Sequence, residues 1–199
     1  MEDKLLARKH FNKAFDHFFA GRGHKAIKEA RAAIALHPKW SRPHWLLGQV
    51  FMFVEPIDLE SAIKEFREVT RKEPQWSMGH RALARVLAQQ GRIDEAMIAF
   101  RESLRLEDLI WTRIWLAQCL LKRNDYREAI TVLRGKPSLS PYYTVADAHL
   151  LLAEAMAQNS GRDEARVEWE FILTLDDAIP AYRVAKVEAR RRLLETEKR

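Results

Sequence analysis

Arg92-Ile-Asp-Glu-Ala-Met-Ile-Ala-Phe100 is one of five versions of a single short phrase in this chain. The others are Gly23-His-Lys-Ala-Ile-Lys-Glu-Ala30, Leu59-Glu-Ser-Ala-Ile-Lys-Glu-Phe66, Asp125-Tyr-Arg-Glu-Ala-Ile-Thr-Val-Leu133 and Arg162-Asp-Glu-Ala-Arg-Val-Glu-Trp169. Their shared alanines, Ala26, Ala62, Ala96, Ala129 and Ala165, lie 36, 34, 33 and 36 residues apart. A period in the low thirties is the signature of a helical repeat array. It moves the functional question from a catalytic pocket to a binding surface.

Working outward, each alanine sits in the second of two apolar-periodic segments. The first segment of a repeat carries apolar residues at helical spacing, as at Trp45, Leu46, Phe51 and Met52, or at Leu83, Val86 and Leu87. A short break follows at Gly21 to Gly23, Glu55-Pro56, Gly91, Asn124 and Ser160-Gly161. Gly and Asn suit the left-handed conformation that closes a helix. The second segment then opens with acids, Asp94-Glu95 and Asp163-Glu164, where the helix dipole favours them. Pro38 and Pro74 stop the second helices of the first two repeats.

The small residue, the large residue and the proline together resemble the tetratricopeptide repeat, a unit of two antiparallel helices. Registered on the alanines, the repeats fall near 7–40, 41–76, 77–109, 110–145 and 146–179, with a capping helix over 180–197, in one solenoid spanning 1–199. The family's small residue of the first helix then falls on Ala14, Gly48, Ala84, Ala117 and Ala153. The large residue of the second falls on Phe66, Phe100, Leu133 and Trp169, with Ala30 a weak match. The closing proline becomes Asp108 and Asp177 in the third and fifth repeats. The resemblance implies an all-α, right-handed superhelical solenoid.

Two departures stand out. The second repeat has two extra residues around Glu55 to Glu60, which should lengthen its inner turn. The second helix of the fourth is cut short by Gly135 and Pro137. Ser140-Pro141 then reads as an N-cap with Pro at the first helical position, extending the next helix through Tyr142 and Tyr143. The closing helix places Ala181, Val184, Val187 and Leu194 partly on one side, and its polar remainder suits the end of an array.

Composition narrows the chemistry. Cys119 is the sole cysteine, so no internal disulfide or thiolate cluster forms, and its apolar surroundings predict an inert thiol. The opening residues carry acids and do not read as a secretory signal, and no apolar run is long enough for a membrane span. A cytoplasmic protein is the expectation. His10, His44, His80 and His149 recur at the fourth place of four repeats, where the family usually holds a large aromatic. They predict half-buried rings with one nitrogen hydrogen-bonded. Stacked repeats lie about one helix diameter apart, roughly 10 Å, so these rings cannot share a metal ion. Gly-rich phosphate loops, His-Glu-x-x-His and Gly-x-Ser-x-Gly are absent. No catalytic residues, metal or cofactor are expected, and the chain does not read as an enzyme.

The resemblance implies a concave surface lined by the first helices. Its candidate contact residues here are Phe11 and Phe15, then Trp45, Gln49 and Met52, then Arg81 and Arg85, then Trp111 and Gln118. The fifth repeat offers Asp147, Leu150, Glu154 and Ala157 at the same places. Some members of the family clamp chaperone C-terminal carboxylates with Lys, Arg and Asn. Phe11, Phe15, Leu46, Met78 and Ala82 hold the corresponding places here, so that specificity does not carry over. The expected function is an adaptor binding a peptide or helix of another protein, with an acidic contact at the arginines. Two alternatives stay open. Between Lys4 and Arg42, ten Lys or Arg stand against Asp16 and Glu29, a local charge of +8 that could attract nucleic acid. No nucleic-acid motif supports this. The exposed aromatics could instead join copies of the chain in a homo-oligomer.

Overall fold

A computed structural model describes residues 2–135 and 145–197. The cap at Ser140-Pro141, the extension through Tyr142 and Tyr143, and the break at Pro137 lie outside the described residues. The described residues form helices without a strand, and they divide into two compact units, residues 1–106 and 107–199.

The first unit holds α1 (Glu2–Phe19), α2 (Gly23–Leu36), α3 (Arg42–Phe53), α4 (Leu59–Lys72), α5 (Ser77–Gln89) and α6 (Ile93–Leu106). Each odd helix packs on the even helix after it, and each even helix on the next odd one, as stacked helix pairs require. The second unit holds α7 (Ile110–Lys122), α8 (Tyr126–Arg134), α9 (Val145–Asn159), α10 (Arg162–Thr174) and α11 (Pro180–Glu197), again packed in chain order. The fold is a helical repeat solenoid.

The inner turns have a repeated chemistry. Gly21, Gly91 and Asn124 adopt φ of 66°, 85° and 62°, so each preceding helix closes through a left-handed residue. The next amide in each turn, from Arg22, Arg92 and Asp125, donates back five residues to His17, Leu87 and Leu120 at 2.8–2.9 Å. These bonds satisfy carbonyls that the helix end would leave unpaired. In the second repeat five residues, 54–58, separate α3 from α4, against three, 90–92, between α5 and α6. The two extra residues thus lengthen the inner turn, and Asp58 caps α4 by accepting from the Ser61 amide at 3.0 Å.

All five phrase alanines are fully buried, as are Ala14, Ala84, Ala117 and Ala153. They mark where paired helices come closest. At Gly48 the approach is tighter: a Cβ there would lie 2.6 Å from the ring of the fully buried Phe66. Asp108 and Asp177, standing in for the closing prolines, anchor the following helix by ion pairs. Arg113 reaches Asp108 at 2.6 Å, and the buried Lys186 reaches Asp177 at 2.8 Å. On α11 the buried face is Tyr182, Ala185, Lys186 and Ala189, whereas Val184, Val187 and Leu194 face solvent. Two alanines let α11 approach closely, and the Lys186 ammonium has its counter-ion. The valines therefore fall on the outer side.

Gly48→Ala sets about 1 kcal/mol of gained helix propensity against about 1–3 kcal/mol of overpacking. With three Phe66 ring atoms inside 3 Å of the new methyl, the expected net is a loss of about 1–2 kcal/mol in urea unfolding. Adding Phe66→Leu should make the two effects strongly non-additive in a double-mutant cycle.

Candidate functional site

In the first unit the predicted contact residues of α1 and α3 converge on one cluster. Phe11 and Trp45 both pack on buried Ala14, Ala30, Leu46 and Leu47. Phe11 also meets Trp40, with ring centroids 4.9 Å apart, and Phe15, at 6.2 Å. Phe15 continues to Phe19 at 4.8 Å, so three rings run along α1 at one-turn spacing. Phe11 and Trp45 are half-buried, but Phe15 is 38% and Phe19 71% exposed. Gln49 is half-buried one turn beyond Trp45. Met52 departs from the expectation. It is only 4% exposed and belongs to the core, because the elongated turn after α3 leaves Phe53, at 49%, as the exposed residue instead.

One arginine of α5 lies beside an exposed ring of α3. The Arg85 guanidinium stands 5.5 Å from the Phe53 ring. Burial, and secondarily the charge of Arg81, pull Arg85 below the ordinary arginine range. Arg42 lies over the Trp76 ring at 3.8 Å, a cation–π contact that holds the indole 6.2 Å from Trp45. Phe19, Phe53 and Trp76 were not among the predicted residues. Their signal was available for Phe19, which follows Phe15 by one helical turn.

In the second unit Trp111 is half-buried and stacked on Trp115 at 6.1 Å, while Gln118 is exposed. Leu150, Glu154 and Ala157 line a pocket of about 270 Å³ with Arg162, Trp169 and Glu188. Arg192, also lining it, is paired to Glu188 at 2.8 Å, so the pocket's charges are largely met within its own wall. Cys119 is buried, and burial pushes its thiol pKa up, against nucleophilic use.

The histidines have a structural rule that the sequence pattern did not disclose. Nδ1 of His10, His44 and His149 meets a carboxylate of Glu29, Glu65 and Glu168 at 2.6, 2.7 and 2.6 Å. Each pair ties the first helix of a repeat to its second. The partners lie 19 residues on in the first and fifth repeats and 21 in the second, which carries the two extra turn residues. That spacing was the available signal. His80 breaks the rule, its Nε2 meeting the Pro74 carbonyl at 2.8 Å. Among the described residues no three metal-ligating side chains converge, and no helix is long and apolar enough to cross a membrane.

Residues 58–108 match the family model described as tetratricopeptide repeat. That segment carries the tetratricopeptide repeat pattern. Solved structures show the same fold at low identity. A crystal structure of MamA superposes with a TM-score of 0.74 at 14% identity, covering 83% of this chain and 88% of MamA. YrrB, a TPR protein with an unusual peptide-binding site, gives 0.71 at 17%, covering 89% and 90%. Yeast Tom70 gives 0.72 at 20%, covering 94% of this chain but 40% of Tom70. No curated protein sequence matches. Tetratricopeptide repeats typically mediate protein–protein interactions.

In the first repeat the His10–Glu29 pair gives the fold an acid sensitivity. Hydrogen bonding to His10, offset in part by burial, holds the Glu29 carboxyl below the usual carboxylate range. A depressed carboxylate adds stability above its unfolded pKa, about 4.3, and loses it as pH falls through the lower folded value. Glu29→Gln should therefore cost about 1 kcal/mol near neutrality. In urea unfolding that cost should shrink as pH falls below about 4 and vanish once wild-type Glu29 is protonated. A cost constant with pH would mean that packing, not charge, holds the pair.

Proposed function

We propose that the chain is a non-enzymatic adaptor whose first unit holds a segment of another protein against the α1–α3–α5 face. The observations that carry this are the exposed rings Phe15, Phe19 and Phe53, the last with the Arg85 guanidinium 5.5 Å away. Large aromatics left in water beside arginine form the combination that dominates binding energy at protein interfaces. Phe11 and Trp45 form the floor from which the exposed rings project, and Gln49 supplies an amide for a peptide backbone. Arg81 and Arg85, one turn apart, repel each other by about 0.2–0.5 kcal/mol. A ligand carboxylate offsets this through charge-assisted hydrogen bonds of about 1.5–3 kcal/mol. The segment is thus aromatic or aliphatic with an acidic residue. Trp111 and Gln118 offer a further contact on the second unit by itself.

Selection of a random peptide library on the immobilised chain should enrich sequences that combine apolar and acidic residues. The test variant is Phe15→Ser with Arg81→Gln, since Trp45 packs on the core and its loss would confound binding with folding. Selected peptides should bind this variant at least about ten-fold more weakly, roughly 1.4 kcal/mol. Equal affinity for a folded variant would remove the α1–α3–α5 face from consideration. Concentration-dependent mass in light scattering, abolished by the same variant, would reassign the face to a homo-oligomer.

A further inference from the structure

The local charge of +8 between Lys4 and Arg42 has a definite place in the fold. Lys4, Arg8, Lys9 and Lys13 lie on α1, where Glu2, Asp3 and Asp16 offset them in part. Lys25, Lys28 and Arg31 lie on α2, whose one acid is Glu29. The three cations of α2 are exposed. Glu29 is half-buried and bonded to His10 at 2.6 Å, so its charge is engaged on α1.

At about 100° per residue, Lys25, Lys28 and Arg31 share an arc of about 120° on the helix. Ala26, Ala30 and Ala33, all fully buried, mark the opposite side. His24, Ala32 and Ala35 complete the arc, which thus holds no carboxylate and no large apolar side chain. The second helices α4, α6 and α10 differ. Each answers an arginine with a glutamate one turn away: Arg71 with Glu68 at 2.8 Å, Arg105 with Glu102 at 2.7 Å, and Arg166 with Glu170 at 2.7 Å. On α2 the neighbours of Lys28 at that spacing are His24, Lys25, Arg31 and Ala32. Among the described residues no carboxylate pairs with Lys25, Lys28 or Arg31. Like charges one turn apart repel, and an anion laid along the arc relieves that repulsion.

We infer that this arc of α2 binds the phosphate backbone of double-stranded nucleic acid, without regard to sequence. A face that offers charge alone favours the partner of highest charge density, and a duplex carries one negative charge per about 1.7 Å of its axis. From Lys25 to Arg31 the helix rises about 9 Å, within reach of about three phosphates of one strand at about 3.4 Å each. The arc has no aromatic ring to stack an unpaired base and no large apolar side chain to enter a bilayer. Ala32 and Ala35 keep the surface low between the cations, so a backbone can come close. The α1–α3–α5 face lies on other helices, and the α2 site stands independently of it.

The probe is a short fluorescein-labelled DNA duplex of mixed sequence, titrated with the full chain and read by anisotropy. Binding should be saturable at low salt, with log K falling against log salt at a slope of about −3. A duplex of unrelated sequence should bind equally. Lys28→Gln/Arg31→Gln should bind at least about ten-fold more weakly at low salt, with the slope reduced to about −1. Lys28→Arg keeps the charge and should bind as wild type. Lys64→Gln/Arg127→Gln removes the same charge from exposed sites on α4 and α8, and should bind nearly as wild type. So should Phe15→Ser/Arg81→Gln. Lys28 and Arg31 already stand in water, so their replacement leaves folding intact, and circular dichroism checks each variant. Absence of saturable binding at low salt, unchanged affinity and slope for Lys28→Gln/Arg31→Gln, or an equal loss for Lys64→Gln/Arg127→Gln would each overturn the assignment. Binding to phosphatidylserine vesicles but not to the duplex would overturn it as well.

Discussion

The closeness of paired helices at their small residues is the constraint on which the rest of this structure depends. Ala26, Ala62, Ala96, Ala129 and Ala165 expose nothing, and Gly48 leaves Phe66 the space a methyl would occupy. Close approach fixes how far each side chain of the first helix extends past the second. Side chains within that depth, such as Leu46, Phe66 and Val86, become core. Those that reach beyond it become surface. The aromatic run of α1 is a consequence: Phe11 is caught between Trp40 and buried Ala14, while Phe15 and Phe19, further along the helix, are not.

Polar contacts then tie the closely packed helices to one another. Each His–Glu pair is a strut between the two helices of one repeat, and each Asp108- or Asp177-centred ion pair fixes the entry of a following helix. A half-buried pair of this kind contributes modestly to stability, because part of its Coulomb energy is offset by desolvation. Its geometric effect is larger: the ring of His149, held by Glu168, also packs against Phe171 with centroids 4.2 Å apart. Electrostatics and packing thus act on the same atoms.

The helices, their inner turns and the small-residue contacts were legible in the sequence because they rest on local rules. Periodicity places the helices, and Gly21, Gly91 and Asn124 mark left-handed turns whatever surrounds them. The candidate face was legible only in part. Phe15, Arg81 and Arg85 lie where helical spacing puts them, but Met52 is buried and Phe53 exposed because the longer turn changes what covers the end of α3. Burial of a residue near a helix end depends on its neighbours' coordinates, which periodicity does not contain. The outer face of α11 is hidden for the same reason: Val184 and Val187 are more apolar than Ala185 and Ala189, yet size decides which row can approach α10. The glutamate partners were readable as a 19-residue spacing, but only by comparing repeats with one another rather than each with a family pattern.

That comparison bears on how a repeat protein acquires function. Each unit contacts mainly its neighbours, so its stability is close to a sum of local terms. A globular core rarely tolerates loss of a buried polar pair, because one unsatisfied partner destabilises the whole. In the third repeat Ala99 stands where Glu29 and Glu168 stand in the first and fifth, and there His80 meets the Pro74 carbonyl while the helix pair α5–α6 stays packed. The space beside His80 is bordered by the leucines of α5 and the arginines of α4 and α6. The third repeat is thus more open beside its histidine than the second, with Ala84 and Ala96 still fully buried. The same near-independence that makes the array readable from five short phrases lets one phrase depart from the others and carry a surface of its own.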